Sequence, residues 1–233
     1  IVPEDYAEGT LLGVIPRVTY EEADMGGNYS GPARIDRMLQ YFNDEAELAR
    51  DDDVAMDVDI IGFSRGAAQS RDFANRIVAN TVNGYYSYKI MVGGKQQTRC
   101  QKVNFRFMGL FDTVLSTNRS DHAYALRIPE NFTYVAQAVA LNEYRGETMR
   151  DLPKSTGAFP LESIMPSPAS STAIGGKKRV KLGVIGAHAD IGGGVGATEG
   201  GLGRGGPKWM VSQGKGAGLK MMGPETCVYT HVT

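Results

Sequence analysis

Long hydrophobic runs are missing from this sequence. No stretch approaches the roughly 18–20 uninterrupted apolar residues that a membrane-spanning helix requires, and Ile1–Thr10 has neither the basic nor the apolar half of a signal peptide. The expectation is a chain made in the cytoplasm without a leader. Cysteine is scarce: Cys100 and Cys227 are the two present, too few for a disulfide scaffold or a multi-cysteine zinc site, and no metal or cofactor is expected. Charge of one sign is also lacking. With 25 basic against 26 acidic residues, no broad cationic field exists for nucleic acid, and Lys177-Lys178-Arg179 reads as the solvated start of a strand. Histidine is limited to His122, His188 and His231, which leaves few choices for any chemistry that needs an imidazole. Glycine is abundant instead: 30 of 233 residues, about 13% against an average near 7%. The excess clusters at 183–206, as tight loops around a site would require.

The periodicities alternate. Gly31–Arg50 places Ile35, Met38, Leu39, Phe42 and Leu48 at helical spacing behind a Gly-Pro start and ends in Asp51-Asp52-Asp53. Ala55–Phe63 holds the short apolar run expected of a buried parallel strand. Arg65–Asn80 carries a second helical face, closed by the turn-forming pair Asn83-Gly84. Val103–Phe111 reads as a strand, Phe132–Tyr144 as a helix, and Val180–Gly186 as a further strand. Repeated strand-helix units predict an α/β fold with a mostly parallel sheet and helices on both faces, its chemistry at the carboxyl ends of the strands. The Pro-rich excursion at 145–176 is too long for an ordinary connection and reads as an irregular lid. Residues 1–233 are expected to form a single domain that is part of a longer chain.

Between the first strand-like run and the helix after it stands Gly62-Phe63-Ser64-Arg65-Gly66, a G-x-S-x-G pentapeptide. A serine hydroxyl is a poor nucleophile at neutral pH and needs a histidine to take its proton and a carboxylate to orient that histidine. On a sharp strand-to-helix turn, Gly62 and Gly66 would leave room where side chains collide, and the Arg65 amide would point at a developing oxyanion. Chain order Ser, acid, His admits two pairings: Asp112 with His188, or Asp190 with His231. The second is favoured, because the acid of this fold usually follows a late strand and the histidine a still later loop, leaving His188 beside the site and Asp112 as a turn cap through Thr113. Gly192-Gly193-Gly194 then lets the backbone double back beside Asp190. His122 sits in a polar loop segment.

Three segments taken together, GFSRGAAQSRDFAN at 62–75, FMGLFDTV at 107–114 and GAHADIGGG at 186–194, resemble an α/β-hydrolase family, formerly a domain of unknown function, that includes the type VI secretion phospholipase effectors of family 1. The resemblance spans roughly residues 55–220. It implies a serine hydrolase acting on ester bonds, and in the effector branch a phospholipase A. It implies a Ser-Asp-His triad in which the family serine matches Ser64, the acid matches Asp190 in the H-x-D-x-G-G-G motif, and a late H-x-[ST]-like segment matches His231-Val232-Thr233, with Asp112 beside the site. The chain departs from the pattern in places. Nothing at its start matches the Asp-Gly-Thr segment that helps build the oxyanion hole, Gln137 and Asn142 stand where many relatives carry His and Asp, and Gly201–Lys208 puts glycines and a proline at a helix start, where proline is tolerated only in the first turn.

The resemblance further implies a phospholipid or other ester substrate met at a membrane surface, a secretion spike protein and an immunity protein as partners, and delivery to a target cell's periplasm. Two rivals remain. A small-ester or acyl-polysaccharide carboxylesterase would share the fold. A non-enzymatic glycine-rich module would cradle a phosphate, but neither a P-loop spacing nor a dinucleotide-binding glycine unit is present.

Overall fold

The computed structural model describes residues 30–114, 124–143, 176–193 and 202–221. Helix α1 (Gly31–Asp51) starts with proline in its first turn, where the missing N–H costs nothing, and leads to β1 (Met56–Phe63) and α2 (Arg65–Ala79). An antiparallel ribbon follows: β2 (Thr81–Val82), β3 (Tyr85–Val92) and the 17-residue β4 (Lys95–Phe111). Then come β5 (Tyr134–Ala140), β6 (Lys178–Val184), the one-turn helix α3 (His188–Ile191), a 3-10 turn at Leu202–Arg204 and α4 (Gly205–Gly216).

Among the described residues the sheet has six strands, in the order β2-β3-β4-β5-β6, with β1 also paired to β4. β1, β4, β5 and β6 run parallel, whereas β2, β3 and the first half of β4 are antiparallel. This is the mostly parallel α/β architecture read from the alternation. Both faces of the sheet are packed. On one, Val58, Ile60, Met108, Leu110 and Val135 meet Ala46 of α1 and Ala67, Ala74 and Ile77 of α2. On the other, Phe107, Tyr134, Ala136, Ala138 and Ala140 meet Ile191 of α3 and Met210 of α4. The register of β1 on β4 slips at Arg106, since Val58 faces Phe105 but Asp59 faces Phe107. The extra residue reverses which side chains face which layer, so Phe105 packs with the α1–α2 layer and Phe107 with the α3–α4 layer. Arg106 itself turns to Asp57 and Asp59.

Two expectations need correction. Phe132–Tyr144 is not a helix: its centre, Tyr134–Ala140, is β5, hydrogen-bonded to β4 on one side and β6 on the other. The sequence YVAQAVA carries alanines of high helix propensity, but small side chains on a doubly covered strand let helices approach closely, and tertiary context overrides the local preference. Likewise, Asn83-Gly84 does not merely close α2. Both residues have positive φ, 53° and 81°, the signature of a tight hairpin turn, and they join β2 to β3. The lid expected at 145–176 lies, apart from Gly176, outside the described residues.

Candidate active site

β1 ends at Phe63, and the chain turns into α2 at Ser64, whose φ of 58° and ψ of −130° lie outside the ordinary basins for a residue with a side chain. Such strain costs about 1–3 kcal/mol and persists only where neighbours impose it. Here they are visible. The Ser64 N–H donates to the Phe111 carbonyl at 2.9 Å, and the Ser64 carbonyl accepts from Ala67 at 3.0 Å and Val114 at 3.2 Å. Gly62 is sterically required, since a Cβ there would lie 2.5 Å from Ser70 Oγ and 2.8 Å from the Ala67 Cα. Gly66 is not, because a Cβ there would meet nothing within 4 Å; the expectation that both glycines relieve a collision holds for Gly62 alone.

At the carboxyl end of β4, Asp112 is fully buried with φ of 38°. Its N–H donates to Ala138 at 2.8 Å and its Oδ1 accepts from the Ala140 N–H at 3.0 Å, so the end of β5 grips it at two points. Its Oδ2 lies 2.7 Å from His188 Nδ1, and His188 Nε2 lies 2.7 Å from Ser64 Oγ. An ionised carboxylate only accepts, so Nδ1 carries the proton and donates to Asp112. Nε2 is left as the acceptor for the Ser64 hydroxyl. The structure therefore brings Ser64, His188 and Asp112 into one hydrogen-bonded line.

His188 opens α3, just beyond β6. Its ring stacks on Phe63, with centroids 4.6 Å apart and planes at 27°. Phe63 in turn lies against Gly192, where a Cβ would come within 2.6 Å of the ring. The His188 backbone N–H donates to Glu143 Oε2 at 3.0 Å. Asn142 pairs with Gly186 twice, its N–H to the Gly186 carbonyl and its Oδ1 from the Gly186 N–H, each at 3.1 Å.

Asp190, the acid of the other pairing, lies in the same short helix as His188. Its Oδ2 accepts from the Ala187 N–H at 2.7 Å, tying the first turn of α3, and it is His188 and Asp112 that extend from Ser64. His231 lies outside the described residues, as does Cys227. Arg65 is the first residue of α2, so its amide belongs to the turn where helical N–H groups point along the axis. Thr113 does not cap with Asp112; its Oγ1 accepts from Arg71 at 3.0 Å. Arg71 is fully buried, also donates to the Leu126 carbonyl at 3.3 Å, and is pushed down to about 10 by burial, so it remains a cation at neutral pH. Among the described residues no cluster of His, Cys, Asp or Glu is arranged to hold a metal ion, and no helix is long and apolar enough to cross a membrane.

The family model for the "T6SS, Phospholipase effector Tle1-like, catalytic domain" matches residues 81–213, or 133 of the 233 positions. The chain belongs to this Tle1-like family. Asp112 and His188 fall inside the matched stretch, and Ser64 precedes it. The fold resembles that in the "Crystal structure of an uncharacterized protein from Pseudomonas aeruginosa", with a TM-score of 0.50 and 23% identity over 83% of this chain. The Tle1-like chain spans only 28% of that protein. A search of curated proteins gave no match.

The residues to which positional reasoning gives no role are those that stack on His188 or hold the backbone beside it. Phe63 was in plain view inside the pentapeptide. Asn142 stands out from the sequence only as a departure from the family pattern, and Glu143 not at all, because a helical reading of their segment does not present them at a strand's carboxyl end.

Proposed function

We propose that this chain is the catalytic part of a serine hydrolase that cleaves carboxylic ester bonds of membrane phospholipids, a phospholipase A delivered as a type VI secretion effector. The observation that carries the reading is the line Ser64 Oγ, His188 Nε2, His188 Nδ1, Asp112 Oδ2 with two contacts of 2.7 Å, in a chain of the Tle1-like phospholipase effector family. Ser64 attacks the acyl carbonyl while His188 Nε2 takes its proton. Asp112, buried and acceptor-only, holds the imidazole in the required tautomer and stabilises the imidazolium. The Arg65 amide at the start of α2 donates to the developing oxyanion. As the ester C–O bond breaks, His188 returns the proton to the departing alcohol, leaving an acyl-Ser64. Water, deprotonated by the same nitrogen, then releases the fatty acid and restores the serine.

The test is a set of purified variants assayed for ester and phospholipid hydrolysis and for labelling by a fluorophosphonate. Ser64→Ala is expected to abolish labelling and turnover. Asp112→Asn, which permits the wrong tautomer, is expected to lower kcat by about 10⁴-fold. Asp190→Asn keeps an oxygen for the Ala187 N–H and is expected to remain within about tenfold of the unmodified chain. Loss of activity in Asp190→Asn with retention in Asp112→Asn would return the acid role to Asp190, with His231 as its histidine. Hydrolysis of short acyl esters without any of phospholipid vesicles would mark a small-ester or acyl-polysaccharide esterase instead.

A further inference from the structure

Resting on the Ser64-His188-Asp112 reading, we infer that Glu143 is a positioning residue for catalysis, which fixes the histidine by accepting its backbone N–H. His188 is the first residue of a helix of only four, so its N–H has no partner within that helix. Glu143 Oε2 supplies the partner at 3.0 Å. The imidazole is set from three directions. Asp112 holds Nδ1, Phe63 stacks on one face of the ring, and Glu143 holds the backbone from which the ring projects.

Glu143 is well placed for this task because the chain leading to it is held. It stands three residues beyond the end of β5, and the same β5 end grips Asp112 through Ala138 and Ala140. The adjacent Asn142 pairs with both backbone groups of Gly186, two residues before the histidine. One corner of chain, 138–143, therefore holds both the acid and the histidine. A displacement of His188 by about an ångström would separate Nε2 from the serine hydroxyl, and errors of that size can cost about a hundredfold in rate. Binding of substrate needs no such alignment, so the loss would fall on kcat.

Two near-isosteric variants separate this role from general structural support. Glu143→Gln removes the charge and keeps an acceptor oxygen at the same reach; Glu143→Asp keeps the charge and withdraws the oxygen by one methylene. With a soluble acyl ester, Glu143→Gln is expected to hold kcat and the fluorophosphonate labelling rate within about threefold, whereas Glu143→Asp and Glu143→Ala lose at least about tenfold in both with KM little changed. Thermal midpoints measured alongside should not follow this order. Full activity in Glu143→Asp and Glu143→Ala would overturn the inference while leaving the triad intact. So would a Glu143→Gln as impaired as Glu143→Ala, since charge rather than the acceptor would then matter. Absence of Ser64-dependent labelling in the unmodified chain would overturn the nucleophile reading and this inference with it.

Discussion

At the scale of single residues, the site is built from conformations that the sequence would not choose unaided. Ser64 and Asp112 both have positive φ, and both are held by backbone hydrogen bonds from other strands. The glycines of the pentapeptide have unequal duties. A Cβ at Gly62 would lie within 3 Å of the Ala67 Cα and the Gly66 carbonyl oxygen, backbone atoms that cannot swing aside. Gly62→Ala is therefore expected to lower stability by about 1–3 kcal/mol through overpacking, read as a lower urea midpoint, with activity falling as the turn is displaced. Gly66 lies in the first turn of α2 with open space where a Cβ would go. Gly66→Ala should raise stability by about 0.5–1 kcal/mol, the usual gain for replacing a helical glycine, in the same urea titration. If the two variants behaved alike, the close packing inferred at Gly62 would be wrong.

At the scale of elements, β5 and α2 organise the site. α2 carries Ser64 at its start and fastens the chain beyond β4: Arg71 donates to Thr113 and Leu126, Asn75 donates to the Ala125 and Arg127 carbonyls, and Asp72 accepts from the Ala125 N–H. β5 lies between β4 and β6 and is buried along nearly its whole length. In its middle, Gln137 is fully buried, and among the described residues neither its Oε1 nor its Nε2 has a hydrogen-bond partner. Replacing an unsatisfied buried amide by an apolar side chain of similar volume removes a desolvation cost of about 1–3 kcal/mol. Gln137→Met is accordingly expected to raise the urea midpoint with no loss of kcat; a fall in stability would show that the amide is satisfied in solution. β5 is also where sequence reading failed, and the reason is physical. Alternation vanishes in a strand covered on both faces, and the alanines that admit the helices are the residues a helix prefers. β1, α1 and α2, by contrast, were legible because each keeps one dominant pattern. Of the site, Ser64 was legible from its turn chemistry, and Asp112 and His188 as one of two pairings. The contact of Asp112 with His188 depends on β5 bringing the end of β4 and the start of α3 together, which chain order does not encode.

At the scale of the whole molecule, the parallel sheet places the line of Ser64, His188 and Asp112 at the carboxyl end of its strands, where the sheet presents exposed apolar side chains. Phe63, Leu141 and Ile185, at the carboxyl ends of β1, β5 and β6, remain exposed to 38%, 59% and 67%. Phe63 joins this rim directly to the stack on His188. Apolar side chains in water around the proposed nucleophile would suit a substrate whose acyl chains must leave a lipid surface, since each buried methylene contributes about 0.8 kcal/mol. A domain that works this way should favour lipid aggregates over monomeric short esters. Phospholipid vesicles are thus expected to release free fatty acid in the presence of the chain and not of Ser64→Ala. Replacing Leu141 and Ile185 together by serine should reduce vesicle hydrolysis much more than hydrolysis of a soluble ester, because neither side chain touches the reacting atoms. Equal loss on both substrates would assign these residues to the stability of the β5 and β6 ends. Unchanged vesicle hydrolysis would mean that the lipid approaches the serine from another side.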